Sequence, residues 1–162
     1  MELIDYIEPF VEVTIATFKD FIGVEASPKH PHYLEPDKEY DWDISSVIGL
    51  SGTIRGAVII SMKAELAIKL TDAIVGTPHT EIDADVTDVV GEVVNIIAGN
   101  IKPKVPNGDK IVISIPTVIK GKKISFVWPS KQTRILCIPH KVYENDFFHL
   151  LVAIDMDNKV QL

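Results

Sequence analysis

The sequence has little that would tie the chain to a membrane, to an oxidising compartment or to export. One of its 162 residues is a cysteine, Cys137, so no disulfide can form within the chain, which agrees with a reducing compartment. Apolar runs such as Ala57–Ile60 and Leu150–Ile154 are far shorter than the ~20 residues of a membrane-spanning helix. The first residues, Met1–Asp5, carry acids where a secretory signal carries lysine or arginine. We therefore expect a cytoplasmic protein that does not enter the membrane.

Basic residues are also few, because 16 lysines and arginines stand against 23 acids and give a net charge of −7. Nucleic acids are bound mainly by basic side chains that neutralise phosphates, so we expect no nucleic-acid partner. The basic residues are concentrated in residues 101–134, which hold eight of them and one acid. Two interpretations stay open: Lys120, Lys122 and Lys123 decorate a solvated hairpin, or the segment forms a face that meets an acidic protein partner.

Regular metal-ligand spacings and glycine-rich phosphate loops are missing as well. His30-Pro31-His32 and the segment Cys137–His140 each hold two possible ligands, but neither has the repeated spacing of a zinc site. His79 and His149 are interpreted as ordinary turn and strand residues. We therefore expect no metal site and no cofactor belonging to this chain.

What is present is a hydrophobic pattern that alternates between helical and strand periods. Apolar steps of three and four residues predict helices over 3–21, 62–75 and 83–105. Runs with strand character, bounded by turn residues, predict strands at 44–50, 53–60, 110–114, 117–120, 124–128, 134–138 and 147–155. This order predicts one α+β domain over residues 1–162, with long helices packed on one face of an antiparallel sheet. The first and third helices, each with its following strands, are a possible pseudo-repeat.

The 83–105 helix has one polar and one apolar face. At 100° per residue, a group of polar residues and one glycine lies between about −80° and +20° of Glu92 and so shares one face with it: Asp85, Asp88, Asn95, Gly99 and Lys102. The apolar residues fall on the opposite side and are predicted to face the core: Val86, Val90, Val93, Val94, Ile97 and Ile101.

The composition of the polar face is unusual for a helix that is merely solvated. Asn95 is a poor helix former, and Gly91 and Gly99 each cost ~1 kcal/mol relative to alanine. One interpretation is that the glycines let the backbone of another protein come close to Glu92 and Asn95. The other is that Gly99 eases packing against the first helix and that Asn95 bonds to a neighbouring loop.

The segment Asp88–Asn100 resembles the signature helix of the CheC, CheX and FliY chemotaxis phosphatases, which has an acid or serine, then E-x-x-N, and a proline further on. The segments Ile48–Met62 and Ser114–Val118 are similar to the strands of that family. CheC-type members generally carry two E-x-x-N helices, and one is present here, which favours CheX. The family's proline follows one residue later than Pro116 does, and a shorter loop at Pro106–Gly108 would absorb the difference.

The resemblance implies a CheC-like fold and a phosphatase that hydrolyses the phospho-aspartate of a CheY-like response regulator. It implies that Asn95 holds the attacking water and that Glu92 pairs with the lysine of the partner's phosphorylation site. The Mg²⁺ of the reaction is expected in the partner receiver domain. Further contacts to the partner are implied for Asp88, Val89, Ile96 and Gly99, with Lys102 at the rim.

The resemblance leaves one alternative function and adds one expectation about assembly. The alternative is a non-catalytic adaptor, or a flagellar-switch-like interaction module, that binds a receiver without hydrolysing its phosphate. The family also suggests a homodimer built through the sheet, because a single copy would leave sheet edges exposed.

Overall fold

The computed structural model describes residues 3–129 and 132–155. In these residues eight strands form one antiparallel sheet, and three α-helices cover one of its faces, as predicted. The helices are α1 (Glu8–Thr17), α2 (Ala64–Val75) and α3 (Ala84–Ile101). The strands are β1 (Ala26–Pro28), β2 (His32–Tyr33), β3 (Ile44–Gly52), β4 (Gly56–Met62), β5 (Ile111–Ile113), β6 (Thr117–Lys120), β7 (Leu136–Val142) and β8 (Asp146–Ile154).

Two long hairpins form the centre of the sheet. Strands β3 and β4 form one hairpin, β7 and β8 form the other, and β4 pairs with β8 between them. The short strands lie outside: β5 and β6 follow one another along β3, and β1 and β2 follow one another along β7. No helix in the described ranges is long and apolar enough to span a membrane.

This topology agrees with the suspected pseudo-repeat. Each half has a helix, two short strands and a hairpin, α1-β1-β2-β3-β4 and α3-β5-β6-β7-β8, and the short strands of each half pair with the hairpin of the other. The helices α1 and α3 pack against each other. Buried positions in α1 and the turn after it recur 80 residues later in α3: Phe10 and Val90, Val13 and Val93, Thr14 and Val94, Thr17 and Ile97, Phe18 and Ala98.

The sheet has a core on both faces. The larger core lies between the sheet and the helices and contains Phe10, Phe18 and Phe148. A smaller core around Trp42 covers the other face and is closed by the irregular segments 34–42, 124–129 and 132–135. The predicted strand 124–128 is therefore wrong. Only a single bridge between Tyr40 and Ile124 forms there, because Phe126 and Trp128 pack against the smaller core.

The first helix differs from its prediction in both extent and face. Residues 3–6 form a 3₁₀ turn, and α1 begins at Glu8 because Pro9 suits the first turn of a helix but not its interior. Ile4 lies in the 3₁₀ turn and is 44% exposed, so the apolar spacing that predicted this helix does not bury every apolar residue in it. Thr14 and Thr17 are buried on the same face as Phe10 and Val13, and each hydroxyl donates to the carbonyl four residues earlier. A threonine that satisfies its hydroxyl in this way can enter a core despite its polarity.

Proline and glycine shift three further boundaries. The third helix ends at Ile101, and Pro103 follows in a short 3₁₀ turn rather than within α3. Strand β4 begins at Gly56, where a Cβ would collide with the carbonyl of Ala153. Strand β7 continues through Pro139, at which the prediction stopped. The Pro139 carbonyl accepts from the Lys29 N–H, on the side of β1 and β2. Because the nitrogen and the carbonyl of one residue point to the same side of an antiparallel strand, the Pro139 nitrogen, which has no proton to donate, also faces this interrupted edge.

Candidate functional site

Helix α3 is anchored at its start and along its apolar face. The Asp83 carboxylate caps it by accepting from the Val86 N–H at 3.1 Å, and Asp85 adds negative charge to the first turn. The six apolar residues predicted to face the core are all buried: Val86, Val90, Val93, Val94, Ile97 and Ile101. The helix packs on β3 and β4 and touches both other helices, so its outward face has a fixed orientation.

The outward face carries the residues expected there as one strip. Asp88, Glu92 and Gly99 are exposed, and the side chains of Asn95, Ile96 and Lys102 are partly exposed. Val89 differs, because it is 8% exposed and packs at the margin of the helix. It therefore exposes little surface, and the partner contact expected of it stays a prediction.

The side chains of Glu92 and Asn95 are unengaged. Within residues 3–129 and 132–155 neither makes a hydrogen bond or an ion pair with another protein group. The alternative in which Asn95 bonds to a neighbouring loop is therefore wrong. Residues three apart on a helix are neighbours, with Cβ atoms about 5–6 Å apart. The strip thus presents a carboxylate that accepts hydrogen bonds beside an amide that both donates and accepts them.

The two glycines of α3 have different surroundings. A Cβ on Gly99 would meet nothing within 4 Å, so Gly99 does not ease packing against α1 and leaves open space on the strip. A Cβ on Gly91 would lie 3.3 Å from Cγ2 of Val118 and 4.0 Å from Cγ of Pro116. Gly91 is buried, and the expectation that it lets the backbone of a partner come close is corrected. The missing side chain instead leaves room for Pro116 and for Val118 of β6 in the same chain.

The strip lies between two flanks. On one side are Pro116 and Val118, which contact α3 at Gly91, four residues before Asn95. On the other side a groove of about 320 Å³ runs between α1 and α3, with Ala16, Phe21, Ile96 and Asn100 among its lining residues. The carboxylate and the amide therefore stand on a ridge that a partner can reach from outside.

His79 is more than the ordinary turn residue that the sequence indicated. Its Nδ1 lies 2.8 Å from the Asp72 carboxylate at the end of α2, and its Nε2 lies 2.9 Å from Asp85 at the start of α3. Hydrogen bonds to Asp85 and Asp72 raise the pKa of His79 to about 9, and nearby Asp83 acts in the same direction. A charged imidazole thus joins the end of α2 to the start of α3. Its positive charge compensates the negative charges of Asp72, Asp83 and Asp85.

The cysteine, His140 and His149 lie in the hairpin of β7 and β8. Cys137 and His140 are three residues apart on β7, so their side chains point to opposite faces of the sheet. Cys137 lies in the smaller core, and His140 lies beside Phe148 of the larger core. His140 stacks on Phe148, and the Cys137 sulfur lies 3.7 Å from Nδ1 of His149. Burial raises the pKa of the Cys137 thiol to about 12, which keeps it protonated. In the described ranges the side chains close enough together to hold a metal are instead His79, Asp83 and Asp85, where the charged imidazole takes the place of a cation.

Comparison with solved structures places the fold in a known class. The chain superposes on CheX from Vibrio vulnificus with a TM-score of 0.81, covering 93% of this chain and 99% of the other at 22% identity. It also superposes on the CheX–CheY–BeF₃–Mg²⁺ complex from Borrelia burgdorferi with a TM-score of 0.76, at 26% identity over 93% of this chain and 98% of the other. The architecture is therefore that of the CheC-like proteins.

The sequence comparisons narrow this class to one family. The chain is 27% identical over 140 residues to the CheY-P phosphatase CheX of Thermotoga maritima, which covers 85% of this chain and 88% of the relative. The family model described as chemotaxis phosphatase CheX matches residues 44–140. The chain therefore belongs to the CheX family of chemotaxis phosphatases, a family of enzymes, as its signature helix indicated.

Proposed function

We propose that this protein hydrolyses the phospho-aspartate of a CheY-like response regulator in chemotaxis or two-component signalling. The observation that carries the proposal is the unengaged pair Glu92 and Asn95 on the exposed strip of a firmly packed helix, in a chain of the CheX family. Because the substrate is the aspartyl phosphate of another protein, a ridge that enters the partner's site suits the reaction better than a deep pocket. The same proposal places the protein in the cytoplasm with its receiver.

In the proposed reaction, Asn95 enters the receiver's phosphorylation site and holds a water molecule in line with the phosphorus. Its amide accepts from the water and donates to a neighbouring oxygen, so it orients the water without acting as a base. The water oxygen forms a bond to phosphorus while the bond to the aspartate oxygen breaks, and the water proton ends on the released phosphate. Phosphoryl transfer through a loose transition state depends mainly on positioning and charge stabilisation, which an amide supplies.

The other residues of the strip are proposed to hold the partner in place. Glu92 pairs with the lysine of the receiver's phosphorylation site, and Asp88, Ile96 and Gly99 contact the surface around it. The Mg²⁺ is proposed to belong to the receiver, an assignment supported by the related complex in which CheX and CheY occur with BeF₃ and Mg²⁺.

Replacement of Asn95 by alanine tests the catalytic role. We expect Asn95→Ala to fold and to bind the receiver, but to lose on the order of 10²-fold in the rate of dephosphorylation, as when a transition-state hydrogen bond is removed. The measurement is loss of radiolabelled phosphate from a receiver at saturating phosphatase. Asn145→Ala is the matched control, because Asn145 is an exposed asparagine between β7 and β8, outside α3.

The same assay separates the enzyme from the adaptor. Unchanged hydrolysis by Asn95→Ala would remove the water-positioning role. Binding of the receiver by the wild-type protein without any acceleration would show an adaptor instead of a phosphatase.

Replacement of Glu92 tests the proposed ion pair. We expect Glu92→Gln to weaken receiver binding, because the lysine of the partner would lose its charged acceptor, and to lower the rate at subsaturating phosphatase. Isothermal titration against the receiver measures the affinity. Glu144→Gln, at an exposed glutamate beyond the β7 strand, is the control and should bind as the wild type does. Equal affinities for the two variants would contradict the pairing.

We propose that the protein forms a homodimer through the outer edge of β6. The opposite edge of the sheet consists of β1 and β2, which have three and two residues, whereas β6 has four residues and exposes Ile119. An exposed edge strand with an apolar side chain favours pairing with a second copy. We expect Ile119→Lys to be monomeric in sedimentation equilibrium, while Val127→Lys, at another exposed apolar site, keeps the oligomeric state of the wild type.

A further inference from the structure

The outer edge beside β3 contains one residue more than its partner strand can pair. Ile113 pairs with Leu50, and Thr117 pairs with Val47. Three residues lie between the paired positions on the edge, Ser114 to Pro116, but only two lie between them on β3. This extra residue is the mark of a β-bulge, which breaks the alternation of side chains and redirects one of them. The redirected side chain is Ile115, which is 85% exposed.

The bulge is held firmly on both sides of Ile115. The Ser114 N–H donates to the Gly49 carbonyl at 3.0 Å, and the Gly49 N–H donates to the Ser114 hydroxyl oxygen at 2.9 Å. On the other side Pro116, whose φ angle is fixed by its ring, packs toward Gly91 of α3. An isoleucine held outward on a fixed backbone loses little conformational freedom when a partner covers it.

The bulge adjoins the strip that carries Asn95. Gly91 and Asn95 are one turn apart on the same side of α3, and Gly91 is the residue that contacts Pro116 and Val118. A partner that admits Asn95 into its phosphorylation site must extend over this flank of α3, because the site lies within a much larger domain surface. Ile115 directly precedes Pro116 on this flank, so a receiver that extends over the flank would cover its side chain.

We propose that Ile115 is an apolar anchor for the phosphorylated receiver domain, which buries it beside its phosphorylation site. The inference rests on the proposed function and adds a contact that acts on affinity without touching the reacting atoms. Ile115 is therefore a positioning residue. Its removal raises the KM for the phosphorylated receiver and leaves kcat unchanged, whereas removal of Asn95 lowers kcat.

The test is binding of Ile115→Ser to the CheY-like receivers of the source organism, each loaded with beryllofluoride and Mg²⁺ so that no hydrolysis occurs. Full burial of an isoleucine side chain corresponds to an affinity change of roughly tenfold or more, so we expect Kd to rise by that factor. Val112→Ser is the matched control, because Val112 is 61% exposed on the same sheet edge but lies in β5, outside the bulge. Its Kd should match that of the wild type.

The outcomes distinguish the inference from the proposed function. An unchanged Kd and an unchanged KM for Ile115→Ser would overturn the inference, even where the wild type dephosphorylates the receiver. Loss of a dimer in sedimentation equilibrium with unchanged receiver affinity would also overturn it, because Ile115 would then belong to a contact between copies. Failure of the wild type to accelerate hydrolysis would instead contradict the proposed function, and the binding comparison would still decide the role of Ile115.

Discussion

Gly91 and Gly99 lie two turns apart on α3 and lack a side chain for different reasons. A methyl group on Gly99 would enter open space, so Gly99→Ala should raise the free energy of unfolding by up to ~1 kcal/mol through helix propensity alone. A methyl group on Gly91 must displace Val118, whose Cγ2 would lie 3.3 Å away, so Gly91→Ala should gain less or lose stability. Urea denaturation of the two variants measures the difference. Equal increases in the free energy of unfolding for the two variants would show that Val118 of β6 can move aside without a loss of stability.

Gly91 also shows which positions of α3 have a burial that helical periodicity does not predict. The period of 3.6 residues placed the buried valines and isoleucines of α3 correctly, because one apolar face must meet the core. Gly91 and Val89 lie at the margins of the polar face, where burial depends on what packs alongside the helix. For Gly91 that neighbour is β6, which is distant in sequence and is brought there by pairing with β3.

At the scale of elements, His79 links α2 to α3 and makes the junction sensitive to pH. The pKa of His79 is raised from 6.5 to about 9 by Asp85 and Asp72, so folding favours the protonated imidazole. Its contribution to stability is fully present below pH 6.5 and is lost as the pH rises through 9. We expect the urea midpoint of the wild type to fall across this range, and that of His79→Gln to fall less, because glutamine cannot gain the charge.

The control for this titration is His30→Gln, since His30 is exposed. This variant should keep the alkaline decline of the wild type. An equal decline in His79→Gln would assign the pH dependence to groups other than the imidazole between the two helices.

Elements that lack a regular period were the ones that the sequence did not predict. Asp72 and Asp85 lie on either side of His79 in the chain, but their approach to it depends on how the turn between α2 and α3 folds. The segment 124–128 has strand-like composition, yet it covers the smaller core instead of joining the sheet. Both outcomes depend on tertiary packing, which overrides local propensity.

At the scale of the whole molecule, the two halves share a framework but differ in chemistry. The 80-residue offset that matches the buried positions of α1 and α3 places Glu12 at the position of Glu92 and Ile15 at the position of Asn95. Glu12 lies 3.8 Å from Lys104 in an ion pair, whereas Glu92 is unengaged. The first half therefore retains the carboxylate and lacks the amide, which agrees with a single E-x-x-N strip on this chain.

The basic segment 101–134 is likewise divided by the fold. Lys120 pairs opposite Ile44, and Lys110 precedes the residue paired with Gly52, so the two lysines lie at opposite ends of β3. That strand is roughly 26 Å long between these positions. The described lysines of the segment therefore do not form one continuous basic face, and the simpler interpretation of solvated lysines suits these separated charges.

Two histidines, His140 buried and His149 half-buried, make the whole fold sensitive to acid. His140 lies on the helix side of the sheet against Phe148, and His149 lies on the other side near Trp42. Burial lowers the pKa of each to about 4, so folding favours the neutral imidazoles. Their contribution is present above pH 6.5 and is lost as the pH falls through 4, and for each it amounts to at most about 3 kcal/mol.

Replacement of His140 isolates one of these contributions. Nε2 of His140 is buried and has no hydrogen-bond partner among the described residues, so His140→Leu removes a polar atom that this part of the core does not satisfy. We expect the variant to fold at pH 7 and to lose less stability than the wild type between pH 6.5 and 4, by up to about 3 kcal/mol. Urea denaturation at several pH values measures the slopes, and His30→Gln should keep the wild-type slope. Parallel curves for His140→Leu and the wild type would show that the acid sensitivity arises elsewhere, because a group that no longer titrates cannot contribute to the slope.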